Sequence, residues 1–250
     1  MYTLKKSLGQ HFLKDENICK RVVSSLDGLR FDQLLEVGPG GGAITKYLVE
    51  IPGIEFRAVE LDNEKINYLE QHFPKLRGKV IAGSILEISQ PFKGAFTIIG
   101  NFPYNISSQI LFRVLEWKED VQAVVGMFQK EVAQRVAAPP GNKDYGILSV
   151  LVQAYFKVEY LFDVDEESFN PPPKVKSGVI RLTNIGNPWK ITEERKFFNL
   201  VKTSFGQRRK QLRNPLKHLF PPDVLQDIIF SKRAENLSVE DYVSLLKRMK

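Results

Sequence analysis

Asn101-Phe102-Pro103-Tyr104 is the stretch of this chain whose residue types could do the most specific chemistry. It lies between an apolar run, Phe96-Thr97-Ile98-Ile99-Gly100, and a segment opening on Asn105-Ile106-Ser107-Ser108. The run reads as a buried strand and the segment as a helix start, because Asn and Ser are good N-caps. A side-chain amide oxygen and a nearby backbone carbonyl can accept the two N–H bonds of a planar exocyclic amine. The Tyr104 ring can stack on the heterocycle that carries that amine. Pro103 fixes φ and helps to aim the carbonyl. Taken alone, the tetrapeptide is equally compatible with an ordinary strand-to-helix turn holding a structural tyrosine. The elements around it decide.

Gln33–Val37 reads as a first strand, and Gly38-Pro39-Gly40-Gly41-Gly42 follows at once. Ala43–Glu50 has helical spacing. A glycine turn between strand and helix lets a ligand approach the backbone closely, next to a helix N-terminus. Ile54–Leu61 reads as a second strand, and its Glu60 lies 22 residues after Gly38. That is the distance at which an acidic residue meets ribose hydroxyls in Rossmann-like folds. The turn Gly38–Ala43 also satisfies G-x-G-x-x-A, so a nicotinamide dinucleotide has to be considered beside other nucleoside-containing cofactors.

Further strands are expected at Lys79–Ala82, Val121–Phe128, Phe156–Phe162 and Val175–Thr183. Helices are expected at Asn63–Phe73, Ile106–Leu115, Gln129–Val136 and Ile147–Ala154, and one capped by Asp15 running to about Leu26. Alternating β-α units ending in a hairpin-like pair predict an α/β fold with a mainly parallel sheet of about seven strands. Phe169-Asn170-Pro171-Pro172-Pro173-Lys174 reads as a stiff extended segment. A boundary near Gly186-Asn187-Pro188 divides the chain into a body, 1–186, and an appendage, 187–250. The appendage is expected to be all helical, with helices at Glu193–Ser204, Gln207–Leu219, Asp223–Phe230 and Val239–Met249.

Charge follows the same division. Residues 1–189 carry 22 Lys/Arg and 22 Asp/Glu, whereas residues 190–250 carry 14 and 7. A basic appendage on a neutral body points to a polyanion, and Arg208, Arg209, Lys210, Arg213 and Lys217 are the candidate phosphate contacts. With 43% hydrophobic residues the chain can build a substantial core, which argues against disorder. No apolar run is long enough for a transmembrane helix, and the N-terminus lacks the apolar core of a signal peptide. The single cysteine, Cys19, and three scattered histidines argue against a disulfide and against a metal site. A cytoplasmic location is the corresponding expectation.

Six ordered motifs together resemble the ribosomal RNA adenine N6,N6-dimethyltransferases, specifically the small-subunit branch. They are Gly9-Gln10-His11-Phe12-Leu13, Glu36-Val37-Gly38-Pro39-Gly40, Asn101-Phe102-Pro103-Tyr104, Phe169–Val175, Phe205–Lys210 and Arg233–Ser238, and they span almost the whole chain. The resemblance implies a Rossmann-like seven-stranded methyltransferase sheet with a small C-terminal α-helical domain. It implies S-adenosylmethionine as cofactor, held by His11, Leu13, Gly38, Glu60, Ser84 and Asn101, with Gly40 and Leu61 as neighbours. It implies Asn101, Pro103 and Tyr104 as the catalytic residues, with Phe169 on the other face of the target base. The implied partner is small-subunit rRNA in an immature ribosomal subunit, met by a monomer. Two positions depart from the family pattern. Ser84 stands where the family usually has Asp, and Phe102 where it has Leu or Ile. A side chain as large as Phe102 either crowds the pocket or packs into the core. Rival readings are a large-subunit rRNA dimethylase, a DNA adenine methyltransferase and a binding factor for ribosome assembly.

Overall fold

The structure, a computed structural model, describes residues 11–250, so Gly9 and Gln10 of the N-terminal motif lie outside the described residues. Its main sheet has seven strands: β2 (Gln33–Val37), β3 (Glu55–Glu60), β4 (Val80–Ala82), β5 (Phe96–Asn101), β6 (Val121–Gln129), β7 (Phe156–Val164) and β9 (Ser177–Asn184). They lie in the order β4-β3-β2-β5-β6-β9-β7. The pairs β3–β4, β2–β3, β2–β5 and β5–β6 are parallel, and β9 runs antiparallel to β6. The inner strands are near-continuous apolar runs, as a sheet covered on both faces requires. Leu34, Leu35, Phe96, Ile98, Ile99, Val124 and Val125 are all buried. Strand order reverses between β2 and β5, and a ligand crevice belongs at the carboxyl ends of strands beside such a reversal.

A second sheet, which the sequence pattern does not announce, joins β1 (Phe12–Leu13) to β8 (Phe169–Asn170) in antiparallel pairing. Phe12 faces Asn170 and Leu13 faces Phe169. The Lys14 N–H extends the pairing to the Ser168 carbonyl at 2.9 Å. Helix α1 (Glu16–Ser24) starts next, with the Asp15 carboxylate accepting from the N–H groups of Asn17 and Ile18. Its Cys19 and Val22 join Leu13, Phe169, Val179 and Val164 in one apolar cluster.

The remaining helices are α2 (Thr45–Leu48), α3 (Asn63–His72), α4 (Ser107–Glu116), α5 (Lys130–Ala137), α6 (Ile147–Gln153), α7 (Glu194–Gly206) and α8 (Val239–Leu246). Among the described residues, no helix is long and apolar enough to cross a membrane.

Two compact units result, and their division differs from the one expected at residue 186. One holds the described residues to Ala133 together with Glu159–Asn184. The other holds Gln134–Val158 and Ile185–Lys250, so α6 and its flanks belong with the C-terminal segment. Long-range bonds explain this. The Gly141 N–H donates to the Glu235 carbonyl at 2.7 Å and the Ile185 N–H to the Tyr155 carbonyl at 2.9 Å. The rings of Tyr145, Phe205 and Tyr242 pack in series at 6.3 Å spacings.

Within that unit, α7 and α8 match expectation, but Gln207–Leu219 and Asp223–Phe230 form turns and short 3-10 segments instead of α-helices. Leu212, Leu216 and Phe220 are fully buried at the expected helical spacing. The backbone nevertheless breaks. The N–H groups of Leu212 and Arg213 bond to the carbonyls of Lys232 and Phe230, and Pro215 has no N–H to give.

Candidate active site

A cavity opens at the carboxyl ends of β2, β3 and β5, within the first unit. Its walls include His11, Leu13, Gly38, Gly40, Glu60, Leu61, Ser84, Asn101, Pro103 and Tyr104. The sequence-predicted cofactor and catalytic residues are therefore brought together, Phe169 excepted.

The glycine turn forms the floor. Gly38 and Gly40 have φ of 69° and 57°, in the left-handed region where a side chain is strained. A Cβ on Gly40 would come within 3.0 Å of the Phe12 ring, so the backbone stays bare where the N-terminal arm crosses it. Glu60 is 6% exposed, and three backbone N–H groups hold its carboxylate. Gly40 donates to Oε2 at 3.1 Å, while Leu61 and Asp62 donate to Oε1 at 2.9 and 3.0 Å. Glu36 lies beside it, 1% exposed, and accepts from the Thr45 hydroxyl at 2.7 Å. Burial pushes the Glu36 carboxyl up to about 8; the Thr45 bond opposes the rise and the charge of Glu60 adds to it.

The N-terminal arm crosses the tetrapeptide. The Asn101 side-chain nitrogen donates to the His11 carbonyl at 3.1 Å. That bond fixes which end of the amide faces the arm, and the oxygen is the end left to accept from a ligand. The His11 ring stacks on Tyr104 with centroids 5.5 Å apart. Its Nδ1 lies 2.9 Å from the Pro171 carbonyl, an acceptor, so Nδ1 carries the proton. The Pro103 carbonyl is engaged by the Ile106 N–H at 3.2 Å and by the Ser107 hydroxyl at 3.2 Å. Of the two carbonyls beside Asn101 that could meet an amine, this leaves that of Phe102. The Tyr104 hydroxyl lies 2.6 Å from the Ser177 hydroxyl. Burial pushes the Tyr104 phenol above its ordinary pKa, and the Ser177 bond partly offsets this.

Phe102 packs into the core and leaves the pocket open. It is 1% exposed and meets Phe128 edge-on at 4.9 Å. Two glycines make the room, since a Cβ on Gly100 or Gly126 would come within 2.8 or 2.5 Å of its ring. Ser84 reaches the cavity wall, and its hydroxyl also accepts from the Leu86 N–H at 3.2 Å. Leu61 is exposed at the rim, and Leu13 is buried.

Phe169 is not among the residues that line the cavity. It is 1% exposed and sits in the apolar cluster with Leu13, so its ring is not presented to the cavity. Its strand pairs with the N-terminal arm, Phe169 opposite Leu13, and no local pattern in the chain signals the pairing. The basic residues lie in the second unit and divide among themselves. Arg208 pairs with Glu235 at 3.3 Å and also donates to the Lys143 carbonyl. Arg213 is half-buried, with its Nε fully enclosed. Arg209, Lys210 and Lys217 are exposed. Among the described residues no cluster of His, Cys, Asp and Glu could hold a metal.

Phe12, Glu36 and Lys65 also line the wall, although the sequence analysis gives none of them a role of its own in the site. Lys65 is buried, and its ammonium sits 4.8 Å from the Phe12 ring centroid. Nothing in a helical sequence marks such a lysine off from one at the surface. Glu36 does carry a signal, an acid inside an otherwise apolar strand immediately before the glycine turn.

Comparison with known proteins agrees with this geometry. The family model for ribosomal RNA adenine dimethylase matches residues 1–250. A ribosomal RNA small subunit methyltransferase A from Flavobacterium johnsoniae is 51% identical over 249 residues, covering 98% of this chain and 95% of the relative. One from Parabacteroides distasonis is 51% identical over 245 residues, covering 96% and 92%. A crystal structure of a dimethyladenosine transferase from Plasmodium falciparum superposes with a TM-score of 0.82 at 25% identity, covering 96% of this chain and 99% of that one. The 23S rRNA methyltransferase ErmE shares the fold, with a TM-score of 0.73 at 23% identity over 95% of this chain and 99% of that one. With its seven-stranded methyltransferase sheet and its amide-lined cavity, the chain belongs to the ribosomal RNA adenine dimethylase family.

Proposed function

We propose that the protein transfers methyl groups from S-adenosylmethionine to N6 of two adjacent adenines in a 3′-terminal hairpin loop of small-subunit (16S) rRNA. The product is N6,N6-dimethyladenosine, made on an immature small subunit in the cytoplasm by a monomer. The observation that carries the reading is the Asn101 amide, whose nitrogen is held by the His11 carbonyl while Tyr104 stands beside it. The relatives at about half identity, both small-subunit enzymes by name, favour this substrate over large-subunit rRNA.

The residues of the cavity fit the cofactor. The bare backbone at Gly38 and Gly40 suits close approach by a methionine moiety. Glu60 suits ribose hydroxyls, with Leu61 and Ser84 at the nucleoside end and His11 and Leu13 over the top. When bound, S-adenosylmethionine supplies a sulfonium-activated methyl group open to in-line displacement.

The chain itself positions and polarises. A target adenine turned out of a loop loses little stacking, and Tyr104 replaces what it loses. The Asn101 oxygen and the Phe102 carbonyl accept the two N–H bonds of N6. These bonds draw the nitrogen lone pair out of conjugation and aim it at the methyl donor, so that catalysis is chiefly positioning. No strong base is required, because the amine sheds its proton after methylation has made it cationic. For the second transfer one N–H has become N–CH₃, so only one of the two acceptors is used.

The test is transfer of labelled methyl from S-adenosylmethionine to small subunits lacking the modification, followed by nucleoside analysis. N6,N6-dimethyladenosine in small-subunit rRNA is expected. Unlabelled small-subunit rRNA after incubation with folded protein, with label appearing instead when large subunits are supplied, would overturn the assignment.

A further inference from the structure

Ser177 lies outside every motif residue assigned to the site, yet it is fully buried and its hydroxyl is 2.6 Å from that of Tyr104. Topology explains how it reaches there. Strand β9 is antiparallel to β6, and its first residue, Ser177, pairs with Gln129, the last residue of β6. The start of β9 therefore lies at the carboxyl edge of the parallel strands, where the cavity opens. Asn101, the last residue of β5, pairs with Met127 on the same β6, so Tyr104 follows immediately beyond that edge. The backbone next to Ser177 is closely packed. A Cβ on Gly178 would come within 2.5 Å of the Tyr160 hydroxyl and 2.9 Å of Ala133. At the other end of Tyr104, the Ser107 hydroxyl donates to the Tyr104 carbonyl at 3.1 Å. The backbone of Tyr104 is thus tied to α4 and its phenol to β9, leaving rotation of the ring between them restrained.

We infer that Ser177 is a positioning residue for methyl transfer: its hydroxyl fixes the Tyr104 ring plane against which the target adenine stacks. The inference rests on Tyr104 being the stacking residue. The Tyr104 hydroxyl has no part in the chemistry beyond this tether. Removing either hydroxyl then has the same consequence, a ring free to tilt and an amine held less often in line.

The experiment is a double-mutant cycle on full-length protein with small subunits lacking the modification. Ser177→Ala and Tyr104→Phe are each expected to lower kcat by about 3–10-fold, the range of one net hydrogen bond. The double variant is expected to be no more than about twofold worse than either. The dissociation constant for S-adenosylmethionine should stay unchanged, and Ser177→Thr, if folded, should restore most of kcat. Independent, multiplying losses would overturn the inference, as would a Tyr104→Phe enzyme with wild-type kcat. Tyr104→Ala separates the two levels. If it remains active, the stacking role itself fails; if it is inactive while Tyr104→Phe is normal, only the tether fails.

Discussion

Glu36 holds a buried carboxyl with the Thr45 hydroxyl on one oxygen, and burial raises it from the ordinary 4.5 to about 8. Between these two pH values the folded chain keeps a proton that the unfolded chain has released. The stability contributed by the acid form is therefore complete below about 4.5 and drains away as pH rises towards 8. Glu36→Gln keeps an acceptor for Thr45 and cannot ionise. Its melting temperature relative to wild type should rise by roughly 3 °C or more between mildly acidic and alkaline pH. A difference that stays flat across that window would contradict the burial argument. Phe102 offers a second test at this scale. Gly126→Ala drives a Cβ into the rings of both Phe102 and Phe128, at 2.5 and 2.4 Å. A cost of about 1–3 kcal/mol in urea unfolding is expected. Adding Phe102→Leu should recover part of it, because one of the two rings retreats; no recovery would mean that Phe102 is not what fills the space over Gly126.

Among the elements, the two-residue pairing of β1 with β8 has the largest effect for its size. It buries Phe169 against Leu13 and brings the His11 carbonyl to Asn101. Phe169→Ala should cost about 3–5 kcal/mol of stability, read by urea unfolding, with activity falling alongside. Phe169→Leu should cost much less and keep most turnover. A folded, stable Phe169→Ala enzyme with weakened RNA affinity alone would instead assign the ring to the target base. The central strands and the glycine turn are legible in sequence because long apolar runs and a strand-turn-helix pattern are local signals. The acid of β3 and the tetrapeptide after β5 are legible by their distances from those signals. A pairing two residues long has no periodicity, so β1 and β8 leave no trace in the pattern. The segment around Arg213 misleads for a related reason. Its buried Leu212, Leu216 and Phe220 have true helical spacing, but the hydrogen-bond partners of its backbone lie near Lys232, beyond any local window. The attachment of Gln134–Val158 to the C-terminal unit likewise depends on residues far along the chain, such as Glu235.

At the scale of the whole molecule, the cavity belongs to one unit and the excess charge to the other. Arg209, Lys210 and Lys217 are exposed, whereas Arg208 is engaged with Glu235 and the Lys143 carbonyl. Replacing the three exposed residues by Ala should flatten the salt dependence of small-subunit RNA binding, by about 0.7–0.9 in log–log slope for each phosphate that no longer meets a cation. Arg208→Ala should act mainly through stability, lowering the melting temperature. An unchanged salt slope in the triple variant would move the RNA-binding surface elsewhere. In the proposed reaction the amide of Asn101 reads and activates the RNA base. The direct measurement is single-turnover methylation of unmodified small subunits by Asn101→Ala, with cofactor affinity measured on the same protein by calorimetry. A fall of about 100-fold or more in rate, comparable to removing a preorganised polar group from other active sites, is expected, with only a modest fall in affinity for S-adenosylmethionine. Methylation near the wild-type rate by a folded Asn101→Ala protein would rule out that role for the amide.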